Sequence, residues 1–148
     1  MRTATRAPLR AVALIAVFAA CLAASSSNQP DRGRILGPDE RSVTLGPGDR
    51  FSIAVEDSAS IGDNWSIVNP KADTAVVAAV AQVTDYPPGY EKYNGGGGTA
   101  FYIFEAKGRG TTTITLFNCF RGLCHAPERI QPDDLEWLVR NTYTVTVR

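Results

Sequence analysis

The sequence predicts an all-β fold, an antiparallel β-sandwich in one domain, with one short helix in a late loop insertion. Three observations predict it. From residue 42 onward, short segments alternate apolar and polar residues with a period of two. Turns rich in Gly and Pro separate these segments. Helical spacing occurs only once, in residues 132–140. Repeated short strands spaced by such turns are the pattern of two packed sheets.

Taken in order, Ser42, Val43, Thr44 and Leu45 form a short β-prone run, closed by Gly46, Pro47 and Gly48. Phe51, Ile53 and Val55 then alternate with Ser52, Ala54 and Glu56, which makes one face apolar. Trp65 and Ile67 begin another run, broken at Pro70. Residues 74–84 are β-branched and alanine-rich and end at Tyr86-Pro87-Pro88-Gly89. Tyr102, Phe104 and Ala106 share one face of the next strand. Phe101 and Ile103 lie on the other face with Glu105, so that face is not simply solvated. After a turn at residues 107–110, Ile114 and Leu116 point inward, as do Tyr143, Val145 and Val147 in the last strand. In 132–140, Leu135, Leu138 and Val139 lie at i, i+3 and i+4, with Asp133 and Asp134 in the first turn. This helix is expected to lay Leu135, Trp137 and Leu138 over Phe101, Ile103 and Phe117. Trp65 is expected to pack beneath a loop.

Composition narrows the functional classes. The chain has 148 residues, with 15 Lys and Arg against 15 Asp and Glu. A zero balance argues against nucleic acid as a partner. An apolar fraction of 44% is enough to build a core. The three cysteines leave one to explain if the protein is exported.

The N-terminus reads as an export signal. Arg2, Arg6 and Arg10 precede an apolar run over residues 11–20, too short to cross a bilayer as a helix. Phe18-Ala19-Ala20-Cys21 resembles the lipobox of bacterial lipoproteins, with Phe where Leu is usual. That resemblance implies cleavage before Cys21 and lipid attachment to its sulfur, so that the protein meets the membrane of the cell envelope only through this anchor. The rival reading is cleavage near Ala24 or Ser25 and plain secretion or a periplasmic location. The expected organisation is a leader over residues 1–20, a flexible tether over 21–37 and the folded domain over 38–148. Loss of three arginines turns the balance to −3.

The residues offer little catalytic chemistry. His125 is the only histidine and follows Cys124, which an oxidising compartment would pair with Cys119. The neighbours Asp133 and Asp134 fit the first turn of a helix better than an acid pair. An enzyme is therefore not expected. Cys119, Cys124 and His125 have no zinc-ribbon spacing, so a disulfide is the expectation and a metal site the rival. Such a bridge would hold Phe120, Arg121, Gly122 and Leu123 in one shape. Gly95, Gly96, Gly97 and Gly98 precede a strand, with no Lys-Ser/Thr following, so they do not form a phosphate cradle. They make either a backbone that can approach a partner closely or, on composition alone, a flexible insertion.

Residues 95–116, GGGGTAFYIFEAKGRGTTTITL, resemble the chagasin-type inhibitors of papain-like cysteine proteases. In that family a glycine-rich loop precedes an aromatic-x-aromatic-x-Ala strand, a turn and a Thr-rich strand. Gly62-Asp63-Asn64-Trp65 resembles the Gly-x-x-Trp that closes the family's first loop, and residues 142–147 its final strand. The resemblance implies an immunoglobulin-like sandwich whose three loops, here 56–64, 90–98 and the segment after Phe117, plug a protease cleft. It assigns protease contacts to Ser58, Ser60, Gly62 and Asp63, to Gly95, Gly96, Gly97 and Gly98, and to Phe120, Arg121 and Gly122. It implies a papain-like cysteine protease as partner, a monomer, and neither cofactor nor metal. The first loop reads Ser58-Ala59-Ser60-Ile61-Gly62 where the family usually has Asn-Pro-Thr-Thr-Gly. The third lacks the usual Arg-Pro-Trp-Glu and runs on in an insertion to about Asn141. A non-inhibitory binding module of the cell envelope on the same sandwich is the alternative.

Overall fold

The computed structural model describes residues 29–90 and 96–148. Eight strands build the domain: β1 (Arg34–Leu36), β2 (Ser42–Leu45), β3 (Arg50–Asp57), β4 (Trp65–Val68), β5 (Val77–Asp85), β6 (Gly98–Ala106), β7 (Gly110–Asn118) and β8 (Arg140–Val147). They form two four-stranded sheets, one ordered β1-β3-β6-β5 and the other β2-β8-β7-β4. The expected immunoglobulin-like sandwich is the observed fold. Among the described residues no helix is long and apolar enough to cross a membrane.

Period-two alternation buries one face of each sheet. Phe51, Ile53 and Val55 of β3 meet Tyr102, Phe104 and Ala106 of β6 across the first sheet. Ile114 and Leu116 of β7, with Tyr143, Val145 and Val147 of β8, close the core from the second. The rings of Phe51 and Phe104 stack at 5.3 Å between centroids. On the outer face of the second sheet, Thr111, Thr113 and Thr115 pair across with Thr146, Thr144 and Thr142. β-branched side chains suit that half-exposed surface.

Four features differ from the sequence expectation. First, residues 34–36, assigned to the tether, form β1, and Leu36 is fully buried in the core. Gly33, at φ +57°, lies so close to the Arg50 carbonyl that a Cβ would collide with it. Second, the sandwich is not wholly antiparallel: β1 runs parallel to β3, and β2 parallel to β8. Third, residues 74–76 turn before β5 begins at Val77, and β5 carries a bulge between Ala79 and Ala81 that leaves Val80 exposed.

Fourth, the helix over 132–140 does not form. The insertion instead holds 3-10 turns at Phe120–His125, Pro127–Arg129 and Pro132–Asp134. Leu135 and Trp137 are exposed. The outer aromatic residues that the helix was to cover have other cover. The Arg32 guanidinium sits 4.0 Å from the Phe101 ring centre, and that of Arg140 4.9 Å from Phe117. Phe101 and Ile103 moreover face outward from the first sheet and Phe117 from the second, so one short helix could not lie over all three and has little to stabilise it.

Candidate functional site

The strand register brings three loops to one end of the sandwich. Asp57 closes β3 opposite Gly98, which opens β6, and Asp85 closes β5 opposite Thr99. On the other sheet Trp65 opens β4 opposite Asn118, and Arg140 opens β8 opposite Phe117. The first loop thus runs from Asp57 to Trp65, the second from Asp85 to Gly98 and the third from Asn118 to Arg140.

The first loop is folded on itself. The Ser58 carbonyl accepts from the backbone nitrogens of Ile61 at 3.0 Å and of Gly62 and Asp63 at 3.3 Å. Asp63 accepts from the Ser58 nitrogen and from Asn118 Nδ2, both at 2.8 Å. Asn118 Oδ1 in turn accepts from the Asn64 nitrogen at 2.8 Å. The Cys119 nitrogen donates to the Asn64 carbonyl at 2.9 Å, and the Arg121 nitrogen to the Gly62 carbonyl at 2.7 Å. Arg121 Nε adds a bond to the Ile61 carbonyl at 3.0 Å. The first and third loops are therefore one bonded unit. Trp65 seals its base, partly buried on the core, and donates from Nε1 to the Glu56 carbonyl at 2.9 Å.

The expected disulfide joins Cys119 and Cys124, with Cα atoms 5.4 Å apart. Inside it Arg121 and Gly122 both take left-handed backbone, at φ 50° and 69°. Phe120 is buried, and its ring stacks on Trp137 at 5.2 Å. The ligand atoms of Cys119, Cys124 and His125 lie within 4.8 Å of one another, but joined sulfurs offer no thiolate to a metal.

The glycines of the second loop meet the protein itself. Gly95 lies outside the described residues. A Cβ on Gly96 would come within 2.9 Å of the Tyr90 ring, one on Gly97 would strike Ser58 Oγ, and one on Gly98 would lie 2.5 Å from the Asp85 carbonyl. Tyr86 and Tyr90 stack at 4.0 Å beneath them. The return of the loop is thus a tightly packed backbone, not the slack insertion its composition suggests. A cleft of about 500 Å³ separates the first and second loops, lined by Glu56, Ser58, Asp85, Tyr86, Pro87 and Gly97 among others.

This end is acidic, and its charges are unevenly compensated. Burial, and then the nearby Asp63, push the Asp57 carboxyl above the usual carboxylate range. Asp85 is held below it by Arg32, which donates to both carboxylate oxygens at 2.6 and 2.7 Å. Burial and the Asp57 charge raise the Tyr102 hydroxyl to about 12; it donates to the Trp65 carbonyl at 2.9 Å.

Of the residues proposed from sequence, Ser58, Gly62, Asp63, Arg121, Gly122 and the described glycines do converge on this end. Several are used inside it. Both Asp63 oxygens are engaged, Phe120 is buried, and Arg121 straps the third loop to the first. Ser60 and Ile61 are the exposed crest of the first loop. Asn118 was missed, although it follows Ile114 and Leu116 at inward positions, where a polar residue signals a buried hydrogen-bond role. Arg32 was missed because it lay in the presumed tether.

Two solved structures share this shape. The crystal structure of the cysteine protease inhibitor EhICP2 from Entamoeba histolytica matches with a TM-score of 0.57 and 21% sequence identity, over 78% of this chain and 95% of that one. The solution structure of amebosin matches with a TM-score of 0.52 and 16% identity, over 80% of this chain and 100% of that one. At these identities the likeness is one of fold. No protein-family model and no curated protein matches the sequence.

Proposed function

We propose that this protein binds papain-like cysteine proteases and inhibits them reversibly by seating its three loops in the active-site cleft. The observation that carries this reading is the gathering of three loops at one end, two of them cross-bonded into one rigid unit. Such an inhibitor needs no reactive group, and the protein is not itself an enzyme. It needs a preformed wedge of backbone, because a loop already ordered loses less entropy on binding. The resemblance over residues 95–116 and the shared fold with EhICP2 supply the direction.

The test is titration of papain and of a cathepsin L-type enzyme with the purified protein. Progressive, reversible loss of activity is expected. Full activity at roughly tens of micromolar protein would remove the inhibitory reading. One observation favours a second reading: Phe120 is buried and Arg121 is tied to Ile61, so the third loop presents other residues than the family motif does. Capture of an exported protease without inhibition would support a non-inhibitory binding module.

Export completes the proposal. The leader, and Cys21 as lipid anchor, lie outside the described residues; the reading rests on the charged, apolar and lipobox-like order of residues 2–21. Cys21→Ser is expected to move the protein from the membrane to the soluble fraction, and unchanged membrane association would remove the anchor.

A further inference from the structure

Large apolar side chains left in water are not spread evenly over this molecule. Among the described residues Ile35, Ile61, Val80, Tyr86, Leu135, Trp137 and Val139 are exposed. All but Ile35 and Val80 lie on the three loops, and three belong to the insertion that extends the third. Leu135 is 62% exposed and Trp137 42%.

These two side chains are held in place. Gln131 and Asp134 cap each other across a 3-10 turn, the Leu135 nitrogen donates to the Pro132 carbonyl at 3.3 Å, and that of Trp137 to Asp134 at 3.1 Å. Trp137 lays one face on Phe120, which the Cys119–Cys124 bridge fixes, and leaves the rest to solvent. The Arg121 guanidinium lies 4.9 Å from the Phe120 ring centre, while its Nε holds the Ile61 carbonyl. A continuous chain of contacts therefore joins the crest of the first loop to the insertion. A fixed tryptophan is a usual anchor of a protein interface, and the exposed leucine beside it extends the apolar patch around that anchor.

We propose that Leu135 and Trp137, on the part of the third loop that follows the Cys119–Cys124 bridge, form a second docking surface, which takes an apolar patch of the same protease beside the cleft that the loop tips enter. This rests on the inhibitory reading above, because the surface is continuous with the loops assigned there to the cleft. Asp133 and Glu136 are exposed beside it, so the complementary patch is apolar with a basic rim.

The experiment compares inhibition constants of the wild type, Leu135→Asp, Trp137→Phe and Glu136→Lys against papain and a cathepsin L-type enzyme, with the urea midpoint of each variant. Leu135 is so exposed that Leu135→Asp is expected to leave the midpoint unchanged while raising the inhibition constant tenfold or more. Glu136→Lys is expected to raise it about threefold, through slower association. Trp137→Phe keeps the stack on Phe120 and separates lost contact from lost packing. Constants within twofold of an inhibiting wild type, for both Leu135→Asp and Glu136→Lys, would overturn the docking surface and leave the cleft reading standing. A wild type that inhibits neither enzyme would remove both. A concentration-dependent dimer abolished by Leu135→Asp would give the surface to a second copy of the chain instead.

Discussion

The backbone nitrogen of Arg121 donates to the Gly62 carbonyl at 2.7 Å, and the Arg121 side chain lies over Gly62 where a Cβ would stand. Two residues far apart in the chain thus share one site, and each fixes the other. Gly62 has φ +120°, a conformation that side-chain-bearing residues rarely adopt. Arg121 is itself left-handed, at φ 50°. The first loop keeps its shape because the third loop lies against it.

Gly62→Ala tests this directly. The new methyl group meets the Arg121 side chain and must also take an unfavourable backbone. A stability loss of about 1–3 kcal/mol is expected in urea unfolding, with protease inhibition falling further than stability accounts for. An unchanged midpoint would mean that the two loops are not coupled.

Asn118→Ala removes the hub between the two loops. It strips a donor from Asp63 and an acceptor from the Asn64 nitrogen at a residue that is 3% exposed. Buried polar groups left unpaired cost about 1–3 kcal/mol each. The expected result is a lower unfolding midpoint and faster amide exchange at Ser58 and Asn64.

The two displaced carboxylates predict opposite responses to acid. Asp57 is raised, so its ionised form opposes folding; the wild type loses that share of stability as pH rises from about 4 through the folded value. Asp57→Asn is therefore expected to exceed the wild type in stability at pH 7, the gap closing below about pH 4. Asp85 is depressed by Arg32, so its contribution is present above about pH 4 and is lost as pH falls through the lower folded value. Arg32→Gln is expected to lower Tm at neutral pH, with the difference shrinking in strong acid to what the guanidinium contributes over the Phe101 ring. Urea and thermal midpoints measured across pH decide both.

For the bridge, intact mass after alkylation of unreduced protein is expected to leave Cys119 and Cys124 unlabelled. Replacing both with Ser opens a six-residue loop, worth about 2 kcal/mol in the chain-entropy model. The variant is also expected to release Phe120 from Trp137, read as a change in tryptophan fluorescence.

The strands were legible in the sequence because the core-facing apolar residues recur with period two, as in Phe51, Ile53 and Val55 or Tyr143, Val145 and Val147. β1 was not, because three residues with one buried leucine carry no period. The spacing of Leu135, Leu138 and Val139 pointed to a helix, but the residues it was to cover face outward from different sheets, with Arg32 over Phe101 and Arg140 over Phe117. The site was legible as loops and not as contacts. Side chains that look like partner residues in one dimension, Asp63 and Arg121, turn out to hold the loops to each other, while Phe120 is buried under Trp137 within its own loop. That use depends on neighbours some 55 to 60 positions away, which no local pattern records.

The two parallel pairings near the N-terminus leave the sheets with unlike rims. β1 and β5 are the outer strands of the first sheet and β2 and β4 those of the second, so the open backbone of the described strands lies along these four. β1, β2 and β4 are only three or four residues long, and β5 is kinked by the bulge at Val80. A short or kinked margin is a poor template for strand-to-strand aggregation. The bulge therefore interrupts the longest open rim, the one margin long enough to offer a second chain a regular row of backbone partners.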